Sequence, residues 1–261
     1  MSYLRLLGLY IKISALNELQ YRVNFFVQLF QSALALGTGL VSLSLVFTYT
    51  ATLGGWNRSE LLIVMGVHIL VGGLIKTLIQ PNMERLMEDV QQGTLDYALT
   101  KPADSQVLVS VREFRVWQTI DIVMGAIVMA AGVWQLRASV GVLDALAFGA
   151  AILLGGLMIY SVWLMLTTGS FWIVRVDNIL EIFQSFYQAG RWPVGIYPGW
   201  LRSSLTFIVP VAFAVTVPAE ALTNRLTGTV LLAMAGLAAL LFVLARLLWR
   251  FGLRNYGGAS A

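Results

Sequence analysis

The sequence predicts an all-α polytopic membrane protein with six transmembrane helices. Hydrophobic residues fill 58% of the 261 positions and charged residues only 11%, whereas a soluble domain carries about a quarter charged residues. Apolar stretches near the length needed to cross the hydrocarbon core, about 20 residues, recur along the chain. The sequence contains no cysteine, which excludes disulfides and thiol chemistry. Its net charge of +4 is too small and too dispersed to indicate nucleic-acid binding.

Hydropathy predicts the six spans, of which the fifth, containing FQSFYQAGRW, is the most polar. They lie near residues 24–49, 59–79, 114–134, 143–168, 177–197 and 227–249. An even number of spans places both termini on one side of the membrane. With the N-terminus inside, 12 of the 17 lysines and arginines lie on the inner side, as the positive-inside rule requires. Both termini and the loop 80–113 are therefore predicted to be cytoplasmic.

Two other segments are predicted to meet the membrane without an ordinary crossing. Residues 3–22 carry apolar side chains at helical spacing with most cations elsewhere, which predicts a helix in the membrane interface; the alternative is a frayed extension of the first span. Residues 199–222 are apolar, but Pro210 and Pro218 interrupt them. Irregular backbone at membrane depth needs protein or water around it, so two short re-entrant helices are predicted rather than one kinked span.

One long polar stretch, 80–115, separates the second and third predicted spans. Within it, 82–92 carries apolar residues at helical spacing, with Asn82 as the expected N-cap and Gly93 as the expected stop. Its charged flank consists of Glu84, Arg85, Glu88 and Asp89. The pattern predicts a short amphipathic helix lying across the membrane at the cytoplasmic face. A solvated helix without a partner is the alternative.

The sequence shows no catalytic constellation. His68 is the only histidine, and no GxxxxGK[ST] loop for nucleotide phosphates is present. Polar residues inside the membrane indicate function because an unpaired charge in lipid is costly. In the fifth span they share one helical face and are Glu181, Gln184, Gln188 and Arg191. Gln118 and Asp121 hold a similar place near the inner end of the third span. The fifth-span face either lines a polar path or makes contacts between helices or subunits.

The chain resembles the permease subunits of type-2 ABC transporters, particularly the small six-span family whose ATPase is a separate protein. The resemblance is carried by GTLDYALTKP at 93–102, RVDN at 175–178, YP at 197–198, the proline-interrupted segment after it, and a last span ending WRFGLRNY. It covers essentially the whole chain. No motif distinguishes one transported substrate from another.

This resemblance implies a transporter of two permeases and two nucleotide-binding ATPase subunits in a bacterial inner membrane. ATP and Mg²⁺ would bind the partner ATPase, so this chain would carry no cofactor, no metal and no catalytic residue. Helix 3–22 becomes a connecting helix and 82–92 a coupling helix. The candidate ATPase-docking residues are Asn82, Glu84, Arg85, Glu88, Asp89 and Gln92. The second permease would be an identical chain or a related one, with membrane lipid around the pair and no nucleic acid bound.

The resemblance also implies export of a substrate along a path flanked by spans two and five. The candidate residues of this substrate path are Glu181, Gln184, Gln188 and Arg191, and the segment 199–222 would form its outer gate. Two other functions remain alternatives. An ion-coupled secondary transporter would need midplane carboxylates and usually inverted repeats. An intramembrane enzyme acting on lipids would need a catalytic cluster near the interface. The sequence offers little for either.

Overall fold

The computed structural model describes residues 3–19, 22–137, 140–172 and 177–256, and within them the regular structure is helical. The α-helices are α1 (Tyr3–Leu19), α2 (Arg22–Tyr49), α3 (Arg58–Leu74), α4 (Gln80–Gln91), α5 (Asp96–Leu99), α6 (Ser105–Val109), α7 (Thr119–Leu136), α8 (Val142–Thr168), α9 (Asp177–Ala189), α10 (Gly199–Ser203), α11 (Val217–Leu222) and α12 (Gly228–Asn255). Three π-helical segments adjoin them, Ile75–Ile79, Ser204–Ile208 and Ala212–Thr216.

Five helices in the described ranges are long and apolar enough to cross a membrane. They are Val23–Tyr49, Arg58–Gln91, Val116–Leu136, Val142–Phe171 and Gly228–Asn255. These correspond to the predicted first, second, third, fourth and last spans. The predicted class, an all-α polytopic membrane protein, is confirmed.

A further crossing exists only if the helical pair Gly199–Ile208 and Ala212–Leu222 counts as one broken span. The two arms meet at an angle of 77°, and the bend falls at Pro210, where Val209 leaves the helical conformation. The second arm packs directly against α8 at Gly155, where only glycine fits, since a Cβ at this position would lie 2.7 Å from the Cα of Ala214. The geometry fits either a broken span or the re-entrant pair expected at 199–222.

The fifth predicted span differs from the structure. A helix was expected over 177–197, but α9 ends at Ala189 after 13 residues, about 20 Å of helix. This is shorter than the ~30 Å hydrocarbon core. The chain turns at Gly190, which leaves no room for a side chain against Val211, and Pro193 follows. Of the RVDN motif, residues 175 and 176 lie outside the described residues.

The N-terminal helix lacks the apolar face that the sequence predicts. α1 occupies most of 3–22, of which residues 20 and 21 lie outside the described ranges. Its apolar residues are spread almost evenly around the helix axis rather than gathered on one face, so amphipathicity does not place it in the interface. Its end is tied to the start of the third span, because the indole N–H of Trp117 donates to the Glu18 carbonyl at 3.2 Å.

The second span does not end where the sequence predicts. α3, the π-helical segment Ile75–Ile79 and α4 form one helix of 34 residues, Arg58–Gln91, about 51 Å long. The expected separate helix over 82–92 is therefore wrong, because α4 continues the span beyond the hydrocarbon core.

The π-helical turn explains how this helix passes Pro81, which has no N–H to donate. The carbonyl of Thr77, four residues earlier, instead accepts the backbone N–H of Arg115 at 3.2 Å. Asn82 is accordingly not an N-cap but lies inside the helix, where its amide donates to the Leu78 carbonyl at 2.7 Å. The helix stops at the expected place, since Gly93 adopts a φ of +69°.

Glycines let α3 and α7 pack at backbone distance. A Cβ at Gly66 would lie 2.7 Å from the Cα of Met129, and a Cβ at Gly125 would lie 2.7 Å from the Cα of Leu70. Gly73 and Gly132 are equally confined. Small residues at such positions allow the close approach on which helix association in lipid depends. The pair α3–α7 is therefore the tightly packed centre of the bundle.

Candidate functional site

A cavity of about 130 Å³ lies between α2, the second span, α8 and α9. Its polar lining consists of Ser32, His68, Lys76, Gln80, Asp121, Gln184, Gln188 and Arg191. Its apolar lining includes Leu36, Met65, Ile69, Trp163, Phe183 and Tyr187. The space is thus part polar and part aromatic, at a place where lipid would otherwise surround the helices.

The carboxylate of Asp121 organises the polar side of this cavity. Its Oδ2 accepts the Lys76 ammonium at 3.0 Å, and its Oδ1 accepts the Ser32 hydroxyl and the amide of Gln28. The Gln118 amide in turn donates to Gln28 Oε1 at 3.0 Å. The charge of Asp121 is therefore balanced by one cation and fully engaged by hydrogen bonds. This network joins the first three spans to one another.

His68 and Tyr187 form the contact between the second span and α9. Their rings stack with centroids 4.6 Å apart, and the Tyr187 hydroxyl donates to the His68 carbonyl at 2.6 Å. Gly72 makes room for the tyrosine ring, since a Cβ there would lie 3.3 Å from it. Although His68 is only 6% exposed, its Nδ1 has no hydrogen-bond partner among the described residues.

The structure brings together three of the four residues predicted on the fifth-span face. Gln184, Gln188 and Arg191 line the cavity, whereas Glu181 lies outside it on the exposed surface of α9. Glu181 does not line this cavity with the other three residues, because the cavity faces only the later turns of α9. Sequence reasoning also missed Lys76, whose signal was a cation inside a predicted span.

Arg191 differs from the other cations of the cavity. Lys76 has Asp121 as its counter-ion, but no carboxylate in the described parts of the chain lies within ion-pair distance of Arg191. A guanidinium always carries its charge and offers five N–H donors. The cavity therefore presents a cation that nothing in the described chain neutralises.

The polar loop 80–115 uses half of the predicted docking residues internally. Asn82 is 2% exposed, and its side chain bonds both backbone groups of Glu113, the carbonyl at 2.8 Å and the N–H at 2.9 Å. Asp89 is equally buried and pairs with Arg112 at 2.7 Å. These two residues cannot present their side chains to a partner. Their role in the structure is to hold the loop against α4.

Glu84 is also engaged within the chain. Its carboxylate accepts the Arg115 guanidinium and the Gln80 amide, both at 2.6 Å. The outward candidates that remain are Arg85, Glu88 and Gln92, which are exposed. Arg85 forms a loose pair with Glu88 at 3.6 Å and also pairs with Asp89 at 3.3 Å; ion pairs of exposed side chains contribute little to stability.

Beyond Gly93 the loop folds into two short helices with an exposed tip. Tyr97 of α5 is 76% exposed, and Lys101 and Pro102 of the GTLDYALTKP motif are exposed beside it. The apolar side chains of Leu95 and Ala98 are buried. The motif is thus a folded platform whose outer surface is made by residues 97 and 100–102.

Comparison with known proteins decides the family. The family model described as "ABC-2 family transporter protein" matches residues 33–260, which is nearly the whole chain. The chain belongs to this ABC-2 family. It is a permease, the multi-pass membrane component of an ABC transporter, and permeases of this family generally partner with an ATPase subunit. No curated protein and no solved structure matches the chain significantly.

The loop of the permease is also fastened to its last span. Asp104, at the N-cap of α6, pairs with Arg246 of α12, and the indole N–H of Trp249 donates to the Ser105 hydroxyl at 3.2 Å. The Arg246 guanidinium holds the pKa of the Asp104 carboxyl below its ordinary value. Within the described ranges no group of acidic or histidine residues could hold a metal ion.

At the other end of the permease, an ion pair joins the start of α3 to the chain after α11. Arg225 donates to Glu60 at 2.7 Å and to the Gly55 carbonyl at 2.9 Å. Its guanidinium lies 4.6 Å from the ring centroid of Trp56. Glu60 also completes a capping box with Asn57. This contact fixes the bent segment 199–222 to the second span.

Proposed function

We propose that the permease forms half of the substrate path of an ATP-driven exporter. The observation that carries this proposal is the outer surface of α9, where Glu181, Gln184 and Gln188 are exposed. Polar side chains at membrane depth face protein or water rather than lipid. A second permease, identical or related, covers this face next to the polar cavity. The substrate passes there, with the bent segment 199–222 as the outer gate.

A separate ATPase, which binds ATP and Mg²⁺, docks on the tip of the cytoplasmic loop. The docking residues are exposed ones: Glu88, Gln92, Tyr97 and Lys101. An exposed tyrosine is a typical anchor of a protein interface, and the flanking charges orient the partner. The buried Asn82 and Asp89 and the engaged Glu84 support the platform from within.

Two tyrosines of similar exposure test the docking surface. Tyr97 is 76% exposed on the loop and Tyr49 is 85% exposed at the opposite end of the bundle. The tagged permease is purified from its native membrane together with the bound ATPase, and the ATP hydrolysis of the complex is measured. We expect Tyr97→Ala to reduce both the recovered ATPase and its activity at least tenfold, and Tyr49→Ala to leave both unchanged.

Two results would contradict the docking proposal. One is a stoichiometric, active complex with Tyr97→Ala; the other is the absence of any stoichiometric ATPase with the unaltered permease. An ion-coupled transporter would give the second result.

The cytoplasmic position of the loop is tested by labelling, for which the cysteine-free chain is well suited. Thr52 and Thr100 are exposed on either side of the Arg58–Gln91 helix. This helix is longer than the hydrocarbon core, so the two residues lie on opposite sides. We expect a membrane-impermeant maleimide to label Thr52→Cys in intact spheroplasts and Thr100→Cys only after lysis. The reverse pattern would place the loop outside.

A further inference from the structure

The cavity between the membrane-spanning helices contains a cation, Arg191, that has no counter-ion among the described residues. The depth of Arg191 follows from its neighbours. His68 lies ten residues after Arg58, about 15 Å along α3, which is half the ~30 Å hydrocarbon core. Tyr187 stacks on His68; Arg191 follows one turn later, about 6 Å nearer the Arg58 end of α3, and lines the same cavity. A permanent charge at this depth is costly unless something neutralises it.

We propose that the cavity binds the anionic oxygen group, a carboxylate or a phosphate, of an amphiphilic molecule, and that Arg191 is its counter-ion. The proposal rests on the proposed function, because the bound molecule is the one that the permease transports. It names the chemical class of the substrate, which no motif in the sequence does.

Among the residues that the structure describes, no carboxylate pairs with Arg191. Asp121, the carboxylate in the cavity lining, is already paired with Lys76. Glu181 lies ten residues earlier, about 15 Å lower along the helix direction. A second copy related by an axis normal to the membrane places its own Glu181 at that same lower level. Within the chain, Glu181 makes no ion pair with Arg191 and lies outside the cavity, and in an identical second copy the two residues stand at different levels.

Other groups in the lining complement an anion joined to an apolar body. Among the described residues, His68 Nδ1 and the indole nitrogen of Trp163 are buried without hydrogen-bond partners, and the amides of Gln184 and Gln188 add further donors. Trp163 packs edge-on against Phe183 with centroids 5.0 Å apart, which gives an aromatic wall. The charges of Lys76 and Asp121 cancel, so Arg191 leaves the lining with net positive charge.

The size of the cavity sets the shape of the ligand. At about 130 Å³ it is smaller than the ~300–1,000 Å³ sites that enclose drug-sized molecules. It holds a headgroup and the first carbons attached to it. The remaining chain extends along the exposed face of α9.

The test uses the intact permease in nanodiscs of zwitterionic phosphatidylcholine, without ATPase or nucleotide. 12-Bromododecanoate is the probe, since bromine quenches the fluorescence of nearby tryptophans, and Trp163→Phe identifies the cavity signal. Dodecanoate, dodecyl phosphate and dodecanol then compete for the site. We expect saturable quenching that both anions, or one of them, reverse and that dodecanol does not. The better competitor distinguishes a carboxylate ligand from a phosphate ligand.

Variants at Arg191 decide whether this residue is the counter-ion. We expect Arg191→Gln to raise the Kd for the probe at least tenfold and Arg191→Lys to raise it less than threefold. Arg250→Gln, which replaces an exposed arginine of α12 outside the cavity, should leave it unchanged. An unchanged Kd with Arg191→Gln, equal competition by dodecanol, or no saturable quenching would overturn the proposal. Each of these results leaves the docking test at Tyr97 unaffected, so the two proposals fail separately.

Discussion

The packing of α3 against α7 gives a sharp prediction for Gly125→Ala. The new methyl carbon would lie 2.7 Å from the Cα of Leu70 and 2.7 Å from the carbonyl oxygen of Gly66. Ordinary contact begins near 3.4 Å, so the helices must separate by about 0.7 Å or more. The obstructing atoms belong to a helix backbone and cannot rotate away. Overpacking of this kind costs about 1–3 kcal/mol, and we expect a loss of unfolding free energy in that range.

Gly156 on α8 is the matched control, because no atom lies within 4 Å of a Cβ at this position. Alanine there removes only the flexibility of glycine, which stabilises a helix by up to about 1 kcal/mol. Both variants would be unfolded reversibly in bicelles and compared with the unaltered permease. If Gly125→Ala proves as stable as Gly156→Ala, the backbone contact between α3 and α7 does not exist as described.

Three further predictions concern ion pairs. Asp121→Asn should lower the unfolding free energy by about 1–3 kcal/mol. The double variant Asp121→Asn/Lys76→Met should lose less unfolding free energy than the sum of the two single variants. Strict additivity in this cycle would disprove the coupling. Glu60→Gln should cost about 1–3 kcal/mol in the same assay, and an unchanged value would show that the outer ion pair is not formed. Because Arg246 lowers the pKa of Asp104, their contact stabilises the fold at neutral pH, and this contribution is lost as the pH falls below about 4. Melting temperatures from pH 7 to pH 3 should therefore fall less steeply in Asp104→Asn, and identical slopes would contradict the assignment.

The long apolar spans could be predicted from the sequence because lipid imposes their length and composition directly. The fifth span shows where this reasoning fails. FQSFYQAGRW was counted as a weak crossing, but its polarity reflects a short helix that faces a cavity and an uncovered surface. Hydropathy reports the average environment of a segment. It does not report that Gly190 meets Val211 and ends the helix there.

Two of the predicted docking residues are buried, for a related reason. Charges on a predicted loop helix were interpreted as surface charges, although Asp89 and Asn82 are buried. Their partners, Arg112 and Glu113, lie more than twenty residues away in the sequence. Helical periodicity identifies the apolar face of a segment, but it cannot show that the polar face is covered by the returning chain. Gly93 was predicted correctly because the requirement there, a left-handed residue after a helix, is local.

The buried and paired residues of the loop connect it to the helices that line the cavity. Glu84 and Asp89 bind Arg115 and Arg112, and both arginines lie on the segment that returns from the loop to the third span. The helix that leaves the cavity and the segment that re-enters it are therefore clamped together by two ion pairs. Lys76, in the π-helical turn between α3 and α4, is part of the same rod and holds Asp121. The loop is thus connected to the polar wall of the cavity through one long helix and a series of ion pairs.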